Sequence, residues 1–158
     1  MQAKAVIEAA QRAGIMITTA ESCTGGGVAS ALTEIAGASA VFGYGFVTYS
    51  NAAKCKLLSV QDATLAEHGA VSEPVAREMV IGASATSGAD LGLSITGIAG
   101  PGGSEFKPEG RVCFGLSYKG KITTKTVDFG ALGRKHVRVA ATDHGMGLLL
   151  TALHGIKS

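Results

Sequence analysis

Apolar positions along the chain follow two alternating rhythms, one helical and one extended. Between residues 4 and 13, Val6, Ala9, Ala10 and Ala13 fall at helical spacing, and Gly14 follows as a stop. The run IMITT at 15–19 is short and β-branched, as a buried strand requires. Val28, Ala31, Leu32 and Ile35 then stand at i, i+3, i+4 and i+7, one face of a second helix. Residues 40–50 read as a strand ending in Phe46, Val47, Thr48 and Tyr49, and Asn51 is placed to cap a short helix through Leu58. Another short helix is expected over 62–68, closed by Gly69. Ser72 caps a longer helix with Glu73 and Pro74 in its first turn and Val75, Met79, Gly82 and Ala83 on its buried stripe. Residues 91–96 form the next strand, and 111–118 with 121–129 a hairpin turning at Lys119 and Gly120. The last helix, over 132–153, is expected to bury Val137, Ala141, Gly145, Leu148 and Ala152.

Helices interleaved with strands predict an α/β layered fold, with a mixed, mostly parallel sheet flanked by helices and the late hairpin supplying its antiparallel part. No repeat or linker interrupts the pattern, and 158 residues suit a single domain. Composition narrows the picture. With 46% hydrophobic and 16% charged residues the chain is far from disorder. Its 23 glycines stand beside only 3 prolines and show no collagen period, so they belong inside folded structure. Fourteen Lys and Arg against 12 Asp and Glu leave a formal charge of +2, which argues against nucleic acid as a partner. No apolar run reaches the roughly 18 residues of a membrane span, and the first residues lack a signal-peptide pattern. A soluble, cytoplasmic protein is expected, with no membrane partner. Cys23, Cys55 and Cys113 are odd in number and contain no CxxC pair. Neither a disulfide framework nor a metal or other cofactor is therefore expected. Low charge and high apolar content are compatible with a homo-oligomer.

Chemistry concentrates where the glycines cluster. AESCTGGG at 20–27 and GIAGPGGSEFKPEG at 97–110 each follow a strand, and ligands of open α/β sheets bind where such loops converge. In the first loop Ser22 lies on a tight turn feeding a helix, beside N–H groups able to hold an anion or a developing oxyanion. Equally, Ser22 or Thr24 serves as a helix cap and the glycines only permit the turn. The segment matches none of GxSxG, Walker A or GxGxxG. A serine nucleophile needs a base, and none of the four histidines is placed by motif to supply one. The segment TYSNAAK at 48–54 offers Lys54, which works as a base if burial lowers its pKa, and Tyr49, able to relay or orient a proton. Their plainer readings are a surface helix residue and a packed strand end. The second loop is long enough to wrap a ribose or phosphate or to be a simple connection. Arg134 and Arg138, at i and i+4, form a phosphate clamp or a solvated basic turn.

Taken in order and at these separations, AESCTGG, TYSNAAK, GAVSEP and ITGIAGPGG resemble the CinA C-terminal domain family, whose members include nicotinamide mononucleotide (NMN) deamidases. The resemblance extends from about residue 3 to 153. It implies hydrolysis of the carboxamide of NMN to nicotinic acid mononucleotide and ammonia, in the recycling of pyridine nucleotides. It also implies Ser22 as nucleophile, Lys54 as its base and Tyr49 as an auxiliary group. Backbone N–H groups near Thr24, Gly25 and Gly26 would then hold the oxyanion, with Glu21 among the substrate contacts. Thr96, Gly97, Gly100 and Pro101, with Arg134 and Arg138, would hold ribose and phosphate. The amino-terminal domain of two-domain CinA proteins has no counterpart here, which leads to the expectation of a stand-alone form. One position departs: Glu109 stands in KPEG where relatives often carry an apolar residue, which bears on the local loop conformation. Two other outcomes stay open, a hydrolase of another nucleotide amide or ester, and a nucleotide-binding regulatory module that releases no ammonia.

Overall fold

The computed structural model describes residues 2–104 and 106–156. Five strands, β1 (Ile17–Glu21), β2 (Phe42–Val47), β3 (Leu91–Gly97), β4 (Arg111–Tyr118) and β5 (Lys121–Asp128), form one sheet in the order β2-β1-β3-β4-β5. β1 lies parallel to both β2 and β3, while β4 is antiparallel to β3 and β5. The sheet is mixed, but its parallel and antiparallel pairings are equal in number. The hairpin β4–β5 supplies a whole flank and reaches β3 through a loop short of a crossover helix.

Six helices cover the two faces. α1 (Gln2–Ala13), α2 (Gly27–Thr33) and α6 (Arg134–His154) pack together on one side. α3 (Asn51–Leu58), α4 (Asp62–His68) and α5 (Glu73–Ser87) pack on the other. Ile17, Leu93, Ile95 and Phe114 of the sheet join Val28, Leu32 and Leu149 of the helices in the main core. A smaller core, around Ala20, Leu58, Val75 and Met79, fixes α3 and α5. Apolar burial of this kind contributes about 25 cal/mol per Å² and sets which face each helix turns inward.

Local differences from the sequence reading have tertiary causes. β1 reaches Glu21 because it is paired on both sides, and the Ser22 N–H donates to Ile95 O and the Thr48 N–H to Glu21 O, each at 2.9 Å. Ser50, not Asn51, caps α3, its hydroxyl accepting from the Ala53 N–H at 3.0 Å. α2 stops at Thr33, leaving Ile35 beyond it. The buried stripe of α6 runs through Val137, Ala141, Gly145, Leu149 and Leu153, with Leu148 and Ala152 half-buried beside it. This helix packs on α1 and α2 as well as on the sheet. No helix among the described residues is long and apolar enough to cross a membrane.

The connection out of β1 turns into α2 on one face, and the connection out of β2 leads into α3 on the other. Neighbouring parallel strands whose connections diverge leave a crevice at their carboxyl ends. Ser22 follows β1 and Lys54 lies on α3, one on each side of that crevice.

Candidate active site

Ser22 and Lys54 meet inside the crevice. Lys54 Nζ lies 2.9 Å from Ser22 Oγ, 2.9 Å from the Thr48 carbonyl and 3.3 Å from the Tyr49 carbonyl. The lysine residue is only 1% exposed, and no carboxylate pairs with it among the described residues. Burial therefore pulls its pKa below the ordinary lysine value. A neutral amine has two N–H groups and one lone pair. With the two carbonyls taking the N–H groups, the lone pair is left facing the serine hydroxyl, which is the arrangement of a general base beside a nucleophile. Cys23 is the neighbouring alternative nucleophile, but burial pushes its thiol up to about 11, so it carries no thiolate at neutral pH.

The loop that carries Ser22 is fixed from below and from the side. Glu21 is wholly buried, with Oε1 accepting from Thr24 Oγ1 at 2.7 Å and the Val28 N–H at 2.9 Å, and Oε2 from the Ala29 N–H at 3.0 Å. The Val28 and Ala29 N–H groups are unpaired donors of the first turn of α2, where a carboxylate is favoured electrostatically. The expected contact of Glu21 with substrate thus gives way to a role in the loop itself. Arg138, from the first turns of α6, donates through Nε to Cys23 O at 3.1 Å and through Nη2 to Thr24 O at 3.3 Å. It lines a separate cavity of about 360 Å³ with Thr24 and Lys135, outside the Ser22 cleft. Arg134 and Arg138 therefore do not form one clamp, although they share a helix face.

Above Ser22 the two glycine loops enclose a cleft of about 350 Å³. Ser22, Cys23, Tyr49 and Lys54 line one part, and Thr96, Gly97, Gly100, Pro101 and Arg134 another. Arg134 donates through Nη1 to Gly100 O at 2.8 Å and through Nη2 to the Tyr49 hydroxyl, which ties the second glycine loop and the β2–α3 connection to the start of α6. Thr96 Oγ1 donates to Ala70 O at 2.9 Å, fastening the end of β3 to the segment before α5. The long loop is folded on itself, with Gly110 N–H donating to Ile98 O at 2.8 Å and Ser104 and Lys107 exchanging backbone hydrogen bonds.

Of the residues expected to contact substrate, Thr96, Gly97, Gly100, Pro101 and Arg134 line the cleft. Glu21, Thr24, Gly25, Gly26 and Arg138 lie behind the loop and do not. The Gly25 N–H is also occupied, donating to Ser22 O at 3.0 Å, whereas the N–H groups of Cys23 and Thr24 have no acceptor among the described residues. Sequence reasoning missed Asn51, Ala70, Val71 and Ser104, all on the cleft wall. The signal for two of them was GAVSEP, whose Ala70 and Val71 precede the Ser72 cap. It missed as well the ammonium of Lys107, which donates to His68 O and Val71 O at 2.6 Å each and holds that wall in place.

The chain is 51% identical over 144 residues to the nicotinamide-nucleotide amidohydrolase PncC of Escherichia coli (strain K12), an overlap of 90% of this chain and 87% of that protein. It is 54% identical over 114 residues to a CinA-like protein of Chloroherpeton thalassium, covering 72% of this chain but 27% of that much longer relative. Among solved structures, a competence-damaged protein (CinA) superfamily protein from Klebsiella pneumoniae 700603 superposes with a TM-score of 0.94 at 38% identity, over 98% of this chain and 97% of that one. The competence/damage inducible protein CihA from Agrobacterium tumefaciens gives 0.92 at 42% identity, over 97% and 93%. The CinA C-terminal domain profile matches residues 1–153, and the chain belongs to that family.

Proposed function

We propose that this protein is a nicotinamide-nucleotide amidohydrolase that converts the carboxamide of NMN to a carboxylate and releases ammonia. The observation that carries this reading is the 2.9 Å contact of the buried Lys54 amine with Ser22 Oγ, on the floor of a cleft of about 350 Å³. It is supported by 51% identity to an Escherichia coli nicotinamide-nucleotide amidohydrolase over most of both chains. A cleft of this size falls within the usual range for a small-molecule site.

In this mechanism Lys54 takes the Ser22 hydroxyl proton while Oγ attacks the carboxamide carbon. The tetrahedral oxyanion forms near the N–H groups of Cys23 and Thr24, whose donors need no reorganisation when charge develops. The protonated Lys54 returns its proton to the departing amine, ammonia leaves, and an ester links the nicotinoyl group to Ser22. Water, deprotonated by Lys54, then attacks the ester and frees the acid. Splitting the reaction into two acyl transfers replaces one high barrier with two lower ones. Tyr49 orients Lys54 through its carbonyl and Arg134 through its hydroxyl. Arg134, the one arginine on the cleft wall among the described residues, is the partner for the substrate phosphate.

Ammonia release from NMN by the purified protein tests the reading. Ser22→Ala and Lys54→Ala are each expected to lower kcat by at least about a thousandfold, in line with loss of a nucleophile or its base. In the unaltered protein kcat/KM should rise with pH through the lowered Lys54 pKa, because only the neutral amine accepts the proton. Nicotinamide and nicotinamide riboside, which lack the phosphate, should be poor substrates. Turnover by Ser22→Ala at the unaltered rate overturns the mechanism. A melting temperature raised by NMN without any ammonia reveals a binding module instead.

A further inference from the structure

Glu109 lies outside the chemistry just described, yet its carboxylate joins the two parts of the molecule that hold the far end of the cleft. Oε1 accepts from the Gly102 N–H at 2.7 Å, and Oε2 accepts from the Gly133 N–H at 3.0 Å. Gly102 belongs to the glycine loop on the cleft wall, and Gly133 immediately precedes α6. Arg134, the next residue, reaches back to the same loop through Gly100 O at 2.8 Å and to the Tyr49 hydroxyl. A closed ring results, running from Gly100 through Gly102 to Glu109, across to Gly133 and Arg134, and back to Gly100.

Two features make this ring specific to a carboxylate. Both contacts are hydrogen bonds to an ionised acceptor, which are shorter and stronger than neutral ones, and the acceptor lies at the positive end of a 21-residue helix. Gly100 also lies flat against the carboxyl group, with backbone φ of +93°, and a Cβ there would come within 2.5 Å of Glu109 Cδ. The loop has therefore closed down onto the carboxylate, and it does so with a residue that has no side chain to hold it off.

We infer that Glu109 is a positioning residue for substrate binding: it sets the glycine loop and the Arg134 guanidinium at a fixed separation, and with them the pocket for the phosphate-bearing end of the nucleotide. The inference rests on the amidohydrolase reading of the cleft. Glu109 touches neither Ser22 nor Lys54, so it governs KM and leaves the chemical step alone.

Glu109→Ala removes both acceptors, and Glu109→Gln keeps one acceptor oxygen without the charge. Steady-state ammonia release from NMN is expected to show KM raised about tenfold in Glu109→Ala, with a smaller rise in Glu109→Gln and kcat within about twofold in both. Hydrogen exchange read residue by residue should quicken at the Gly102 and Gly133 amides, and inhibition by inorganic phosphate should weaken in parallel with KM. Unchanged KM with quickened exchange at both amides overturns the inference, as does a loss confined to kcat. Equal loss of kcat and melting temperature in both variants overturns it too, since it assigns Glu109 to general stability. Absence of ammonia release from the unaltered protein is a different failure, that of the amidohydrolase reading itself.

Discussion

Arg138 and Lys54 act on the Ser22 loop from opposite sides, and peptide geometry links what they do. In a trans peptide the carbonyl and the following N–H point in opposite directions. By drawing the Cys23 carbonyl toward α6, Arg138 turns the Thr24 N–H away from that helix and leaves it unpaired. Gly25 lies directly beneath the guanidinium, where a Cβ would meet Nη2 at 3.1 Å. Arg138→Ala should release these peptides and reduce kcat about tenfold with KM for NMN changed by less than about twofold, a fraction of what losing an oxyanion donor outright costs. Arg138→Lys, which keeps the charge but not the fork of donors, should be intermediate. Ammonia-release kinetics distinguish this from a phosphate clamp, which would raise KM first. At this scale the residues alone made Ser22 and Lys54 candidates beside plainer readings, and their expected roles came from the resemblance of AESCTGG and TYSNAAK to the CinA C-terminal domain family. Glu21 and Arg138 were visible as residues but not as roles. Which neighbour a carboxylate or guanidinium reaches depends on how closely α2 and α6 approach the loop, and local spacing carries no record of that distance.

Among the elements, α3 carries Lys54, the base of the proposed mechanism, and packs against α5. At their crossing Gly82 faces the carboxyl end of α3, and a Cβ at residue 82 would lie 1.9 Å from Leu58 O. Leu58 O is backbone, so no side-chain rotation can relieve that overlap, and one helix has to move. Gly82→Ala is expected to cost about 1–3 kcal/mol or more in stability, as overpacking of a close crossing does. It should also reduce ammonia release from NMN, because the same movement carries Lys54 away from Ser22. Thermal unfolding and kcat measured on the same sample check both halves, and a full-rate variant with unchanged melting temperature contradicts the crossing. The sequence pattern anticipated the five strands and six α-helices among the described residues, most clearly where a helix such as α1, α5 or α6 buries one regular face. Ends were less legible: β1 gained Ala20 and Glu21 from pairing on both sides, which no propensity at those residues announces. The sequence placed Gly82 on the buried stripe of α5, but not why a side chain was excluded there.

For the molecule as a whole, acid tolerance is set by the few ionisable groups enclosed on folding, and His144 of α6 is one. Its ring packs 4.7 Å from Phe114 and 5.9 Å from Phe129, and its Nε2 is buried without a hydrogen-bond partner among the described residues. Burial, reinforced by the positive charge of Lys125, lowers its pKa below the ordinary histidine value. The unfolded chain therefore takes up a proton near pH ~6.5, while the folded protein does so only at lower pH. Through that interval the unfolded state binds more protons, so stability falls as pH falls; above it, His144 contributes no slope. His144→Phe keeps an aromatic ring between the two phenylalanines and removes the titration. The melting temperature of the unaltered protein should drop more steeply than that of His144→Phe between about pH 7 and pH 5, where histidine titrates. In the proposed mechanism activity is also expected to decline on acidification, since Lys54 would have to be neutral to act, but that slope would lie in a different residue on the opposite face of the sheet. The variant should therefore retain the wild-type pH dependence of kcat/KM while losing the stability slope. If both slopes disappear together in His144→Phe, the acid sensitivity of the fold and that of the active site have a common origin, and the separate assignment of Lys54 and His144 is wrong.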